Sequence, residues 1–267
     1  MEIYYLVVLF IFGTIFGSFF NVVGDRIPRG ESIIFPSSHC PKCKHNLTPL
    51  ELIPIFSYLI QGGKCKNCST KIPVFHPIFE LCSGILFALA YYVFKLTPDL
   101  ILALTFISLL LIIFVSDIEY MIISDEILIF FGITMLIEIF IISTFFGFES
   151  RIFAGLTFFK SIFYGIIAFI IMYIIKKLGD IAFKRESMGG GDIKLMFIFG
   201  LILGPMAIGS IFIGSFIGLP ISLMLYYNIK EREIPFGPYL SCGALILMFF
   251  QLNSEAFISL LLSMSYW

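Results

Sequence analysis

The chain has 267 residues, of which 59% are hydrophobic, 17% aromatic and only 13% charged, and its mean hydropathy is +1.03. A soluble domain carries about a quarter charged residues, so this composition excludes a water-soluble globule and requires apolar surface to face lipid. The formal net charge of -1 gives no reason to expect nucleic-acid binding.

Apolar runs long enough to cross the hydrocarbon, at 1.5 Å rise per residue, fall near 3–23, 78–95, 100–116, 127–146, 161–178, 193–204, 206–227 and 239–264. The sixth is short and is separated from the seventh only by Gly204-Pro205, so the two also read as one broken helix. Eight spans is the preferred count. The expected fold is an all-α polytopic membrane bundle, divided as a first helix (1–23), a polar loop domain (24–77) and a membrane core (78–267). The run after Met1-Glu2 has neither a basic region nor a small-residue cleavage site, so it is read as a retained span.

Alternating the spans across the bilayer puts 14 of the 17 Lys and Arg residues on one side. The other side keeps Lys95, Arg151 and Lys160. The positive-inside rule then assigns the rich side to the cytoplasm and both termini to the outside. It also brings the end of the third span, at Asp117, and the start of the sixth, at Asp192, to one membrane face. The segment 147–160 reads as interfacial, with aromatics suited to the headgroup level.

The polar segment 24–77 is rich in proline and too small to build a core unaided. Cys40-Pro-Lys-Cys43 and Cys65-Lys-Asn-Cys68 supply a staple: two turns, each presenting two thiolates, complete a tetrahedral shell around Zn2+. Two disulfides are the alternative, one that a reducing cytoplasm disfavours. Four thiolates close the coordination, so the metal is expected to be structural. His39 and His45 flank the first pair as substitute ligands, and Cys82 and Cys242 read as packing residues.

Met188-Gly189-Gly190-Gly191-Asp192-Ile193-Lys194 is the most informative stretch. Its glycines permit dihedrals closed to other residues and keep side chains away from a substrate backbone. An acid at the mouth of a span is expensive to keep and therefore a functional candidate. Asp117 closes a long apolar run at a helix C-terminus, where an acid is disfavoured. Ser124 and Asp125 instead fit the N-cap and first turn of the next span. Two carboxylates in a partly desolvated site repel, so one of the pair retains a proton. One then acts as general base on water while the other donates to a carbonyl oxygen, which is peptide hydrolysis of the aspartic-protease type. The plain alternative for Asp192 is a glycine-rich helix cap, with Lys194 answering leaflet charge.

Among the other polar positions, Glu80 orients a loop or faces the same cavity. Glu138, mid-span, is protonated or hydrogen-bonded to a neighbouring helix. Gly17, Ser18 and Asn21 are helix-packing positions, and Ile234-Pro-Phe-Gly-Pro238 is a rigid turn into the last span.

Together these segments resemble the bacterial type IV prepilin peptidase family. The resemblance rests on Gly17-Ser-Phe-Phe-Asn21 through Pro28, the paired cysteine turns, His76-Pro-Ile-Phe-Glu80, Asp117 with Asp125, the G-x-G-D stretch ending at Lys194, and Ile234 to Gly243. It departs from the family at Ser124, where proline is usual. The family implies a bifunctional enzyme: an endopeptidase that removes the leader of prepilins or pseudopilins after a glycine at the inner membrane face, then methylates the new N-terminal amine from S-adenosylmethionine. Carried over by position, Asp117 and Asp192 are the catalytic pair, with Gly189, Gly190, Gly191 and Lys194 as the substrate loop. Cys40, Cys43, Cys65 and Cys68 are the zinc ligands. No glycine-rich nucleotide fingerprint appears, so methylation rests on the resemblance alone. A transporter with intramembrane acids, and a protease cutting other membrane helices, are the competing readings. The pilin served and the oligomeric state are not encoded in any motif.

Overall fold

The computed structural model describes residues 1–146, 157–184, 186–229 and 235–250. Within them the chain forms nine helices and no named strand: α1 (Glu2–Arg26), α2 (Phe56–Ile60), α3 (Phe75–Phe94), α4 (Pro98–Tyr120), α5 (Asp125–Phe145), α6 (Phe158–Phe183), α7 (Gly190–Leu203), α8 (Ala207–Ile229) and α9 (Gly237–Phe250). They fall into two compact units, Met1–Leu100 and Ile101–Trp267.

In the first unit α1 packs on α3 because glycines bring the two backbones together. A Cβ on Gly13 would lie 2.8 Å from Gly84 Cα, and one on Gly17 would lie 2.7 Å from Ser83 Cβ. Ser83 Oγ donates to the Gly13 carbonyl at 2.7 Å, supplying a polar contact where no water competes. Asn21 hydrogen-bonds His76 at the end of the same seam. Between the two helices lies the cysteine segment. Glu80, on the first turns of α3, ties it down by accepting the Ile55 backbone N–H at 2.8 Å. That bond helps hold Ile55 at φ 63°, a left-handed conformation unusual for a branched residue.

The second unit is built around α4. Two thirds of its apolar window, 67%, is enclosed, against 28% for α5 and 22% for α6, whose outer faces are left for lipid. Phe106 of α4 meets Phe199 of α7 edge to face at 5.5 Å, and both are fully buried. A Cβ on Gly200 would lie 2.5 Å from the Tyr164 carbonyl, so α7 and α6 touch backbone to backbone. Glu138 is accounted for by a neighbour, since the Thr105 hydroxyl donates to its Oε1 at 2.8 Å.

The expected count of eight spans is corrected. Among the described residues six segments are long and apolar enough to cross a membrane, because 190–224 forms one continuous apolar stretch and the described part of the last helix, Gly237–Phe250, is shorter. Within 190–224 the helix nevertheless breaks. Gly204 takes φ 56°, and Ser210 Oγ donates to Met196 Sδ at 3.7 Å. Residues fourteen apart in a straight helix would be separated by about 21 Å, so the chain reverses and α8 returns beside α7. The outer part of the expected last span, and most of the interfacial segment 147–160, lie outside the described residues. The exposed apolar residues of α1, α3, α5, α6 and α8 give the chain the surface of a multi-pass membrane protein.

Candidate active site and metal centre

Asp117 sits one turn before the end of α4. Its carbonyl accepts the Met121 N–H at 2.9 Å, and Met121 turns the chain out of the helix with φ 55°. Residues 121–124 then lead directly into α5, with Ser124 as N-cap residue and Asp125 opening the helix, although the Ser124 hydroxyl makes no capping bond. Asp192 stands in the first turn of α7, where an acid complements the helix N-terminus. Both side chains are buried, at 5% and 7% exposure, and they are near enough for their charges to act on one another.

The backbone N–H of Gly237, at the start of α9, donates to Asp117 Oδ2 at 2.8 Å. A Cβ there would fall 2.6 Å from the same oxygen, so glycine is required for the approach. The turn into the last helix, read from sequence as rigid punctuation, thus touches a carboxylate. Its earlier part, up to Ile234, lies outside the described residues. Ile123 is a second participant that sequence reasoning missed. Its side chain meets the Cβ position of Gly191 at 2.6 Å and that of Gly237 at 3.4 Å, setting the turn that follows Asp117 against the starts of α7 and α9. Asp192 Oδ1 is buried and makes no hydrogen bond among the described residues.

The glycine triplet works differently from the expectation based on dihedral freedom. None of the three takes a positive φ. Gly191 is needed for close approach to Ile123, whereas a Cβ on Gly190 meets nothing within 4 Å and one on Gly189 lies 3.7 Å from Asp192 Oδ2. Gly189 and Gly190 are exposed, leaving open space beside a buried acid. Lys194 is engaged within the chain: its Nζ donates to both oxygens of Asp125 at 2.6 and 2.7 Å, binding α7 to the start of α5. Ahead of the triplet, the Ser187 N–H donates to Asp180 Oδ1 at 2.7 Å and fixes the loop to α6.

In the first unit the four cysteine sulfurs lie within 4.8 Å of one another. Cys40 and Cys68 sulfurs are 3.7 Å apart and those of Cys43 and Cys65 are 3.9 Å apart. A tetrahedral shell with Zn–S bonds of about 2.3 Å requires sulfur separations of about 3.8 Å, so the cluster fits such an ion. None of the six cysteines is joined in a disulfide, and the four sulfurs converge on one point as a shared metal requires. The two turns share one design. Cys40 N–H donates to the His45 carbonyl and Lys44 N–H to the Cys40 carbonyl, both at 2.9 Å; Cys65 with Thr70 and Ser69 with Cys65 repeat this at 2.8 Å.

Donors around two of the four sulfurs favour the ligating form, while the Cys65 thiol is pushed up. The Thr70 hydroxyl and backbone pull the Cys68 thiol down to about 6, and the N–H groups of Cys43 and Lys42 lower that of Cys40. Neither flanking histidine joins the shell: His39 bonds the Ser37 carbonyl and His45 meets Glu51. The Thr48 backbone and hydroxyl hold the Glu51 carboxyl down at about 2. Cys82 is exposed on α3 and Cys242 is half-buried on α9.

The fold and the enclosed carboxylates define a multi-pass helical membrane protein of the paired-aspartate kind, with a tetracysteine metal-competent cluster on its N-terminal unit. Residues 11–94 match the Bacterial Peptidase A24 N-terminal domain, and residues 104–223 match the Type IV leader peptidase family. The prepilin leader peptidase/N-methyltransferase of Bacillus subtilis is 37% identical over 246 residues, covering 90% of this chain and 92% of that protein. The protein of that name from Vibrio cholerae is 30% identical, covering 93% and 98%, and the one from Pseudomonas aeruginosa is 28% identical, covering 88% and 86%. No solved structure matches. The chain belongs to the type IV leader peptidase family.

Proposed function

We propose that this protein removes the leader peptide of type IV prepilins or pseudopilins after glycine at the cytoplasmic face of the bacterial membrane, and then N-methylates the new terminal residue. The observation that carries the peptidase half is the enclosed pair Asp117 and Asp192, one anchored by the Gly237 N–H and the other with a buried oxygen that makes no hydrogen bond among the described residues. A buried carboxyl oxygen without a bond is costly, and it suits a group that must accept from water or, when protonated, donate to a scissile carbonyl during turnover.

Hydrolysis follows from two carboxyl groups sharing a proton. The ionised member removes a proton from water as its oxygen attacks the scissile carbonyl carbon, and the protonated member donates to the carbonyl oxygen. The resulting gem-diol collapses as the carbon–nitrogen bond breaks: the departing amine takes a proton from the carboxyl that received one, and a diol hydroxyl returns a proton to the carboxylate that gave one, restoring the pair. The open space at Gly189 and Gly190 admits an extended leader beside Asp192.

Sidedness is drawn from the charge tally: the cysteine unit and both aspartates face the cytoplasm, and both termini lie outside. Cys40, Cys43, Cys65 and Cys68 would hold a structural Zn2+, which cross-links the two turns of a segment too small to fold on its own core. Methyl transfer takes its support from the names of the relatives. No residue cluster here marks a site for S-adenosylmethionine, and no step is assigned to it.

Mass spectrometry of a prepilin incubated with the protein and methyl donor tests both halves in one spectrum. Leader loss with a methyl increment is expected. An intact prepilin would overturn the peptidase reading, and leader loss without the increment would confine the protein to hydrolysis.

A further inference from the structure

A cavity of about 590 Å³ opens along α5, bounded by α6 and α7. Its walls include Ile129, Ile133 and Leu136 of α5, Phe169 of α6 and Phe197 of α7, and the only ionisable residues lining it are Asp125 and Lys194. On α5 the lining runs from Asp125 to Leu136, roughly 17 Å at 1.5 Å per residue. The cavity therefore starts two residues from Asp192 along α7 and follows α5 into its apolar stretch.

Gly132 stands in this wall, inside α5. Glycine within a helix costs about 0.5–1 kcal/mol relative to alanine, so its presence calls for a reason. Gly200 and Gly191 have one in the chain's own packing. Gly132 does not: an added Cβ meets nothing nearer than Ile198 Cδ1 at 3.8 Å, an ordinary contact. Inside a bilayer, small residues let a second helix backbone come close. A lipid chain gains nothing of that kind. Nor does the polar end recruit a lipid phosphate, because both Asp125 oxygens already neutralise Lys194.

We propose that this groove docks the apolar helix of the protein substrate, its backbone lying against Gly132, so that the leader junction emerges past Lys194 beside Asp192. The assignment rests on the leader-peptidase reading and adds the place where the substrate is held in the membrane plane. It separates two tasks: the carboxylates act on the extended junction, and the α5 groove supplies affinity for the helix that follows.

The test uses the full-length protein in vesicles, a prepilin with its apolar helix, and a leader peptide truncated before that helix. Gly132→Phe is expected to raise KM for the prepilin by about tenfold or more with kcat nearly unchanged, the signature of lost uniform binding, while cleavage of the truncated peptide stays at the wild-type rate. A photocrosslinking phenylalanine analogue at Ile133 should capture the prepilin helix. Unchanged KM for the prepilin, or crosslinks to lipid alone, would overturn the proposal. If Gly132→Phe loses activity on the truncated peptide too, Ile133→Trp on the exposed wall decides, and an equal loss on both substrates there also overturns it. A wild-type protein inert toward both substrates would instead sink the leader-peptidase reading underneath.

Discussion

Gly237 donates its backbone N–H to Asp117 Oδ2 at 2.8 Å, joining two residues 120 positions apart. The bond places Asp117 at the N-terminus of α9, where helix dipole and free N–H groups favour an acceptor. It also leaves no room for a side chain on residue 237. Gly237→Ala would set a methyl 2.6 Å from the carboxylate oxygen and force the group out of position. Misplacing a catalytic group by about 1 Å costs on the order of 100-fold, so leader cleavage by this variant is expected to fall by about that factor with membrane insertion retained. A rate within a few-fold of wild type in a single-turnover assay would show that the Asp117 position is not critical.

How much of this site could be read in advance divides along physical lines. Asp117, Asp192 and the four cysteines were legible because each breaks a pattern: an acid at the edge of lipid, or a thiol pair at metal-ligand spacing. Gly237 and Ile123 were not, since a glycine in a turn and an isoleucine between spans are ordinary in sequence and become specific only when long-range packing sets them against the acids. The same holds for Lys194. Its charge invited a substrate or leaflet role, whereas its partner is Asp125, 69 positions away. The split between α7 and α8 was legible in Gly204-Pro205, whereas the count of eight differs from the six membrane-length segments found because hydropathy runs unbroken across 190–224 and the described part of the last helix is short.

The three glycines before Asp192 should respond unequally to the same substitution. Gly191→Ala drives a methyl to within 2.6 Å of Ile123 Cβ, a contact that must displace either α7 or the 121–124 turn, each of which positions an aspartate. Gly190→Ala meets nothing within 4 Å. Alanine at 191 is therefore expected to lower cleavage by about 10-fold to 100-fold by displacing an aspartate, while alanine at 190 only narrows the space for the leader and costs less, within a few-fold, as a raised KM. Parallel rate measurements check the ordering, and equal effects would show that the close contact with Ile123 is unimportant.

The Asp125–Lys194 pair is bidentate but exposed, with the Asp125 side chain 58% and the Lys194 side chain 50% accessible. Exposed pairs contribute about 0.2–1 kcal/mol and are screened by salt, so its value lies in alignment more than in stability. Asp125→Asn and Lys194→Gln should each leave the thermal midpoint almost unchanged in low salt. The reversed pair, Asp125→Lys with Lys194→Asp, should recover most of any activity lost by either single reversal. A double-mutant cycle measures this directly, and strictly additive losses would show that the two residues act apart.

The cysteine cluster makes the firmest prediction about metal. Its sulfur separations of 3.7 and 3.9 Å suit one tetrahedral ion, and hydrogen-bond donors lower the Cys40 and Cys68 thiols toward the ligating form. Purified protein is expected to contain about one zinc per chain, and Cys40→Ser with Cys65→Ser to contain almost none, because the turns cannot each complete half of a shell. Since these turns staple a segment with few buried apolar residues, loss of the ion should release residues 30–74 to proteolysis while the apolar helices stay intact. Elemental analysis combined with limited digestion reads both outcomes. Full zinc content in the double variant would refute the four-sulfur site, and unchanged protease resistance without zinc would refute its structural role.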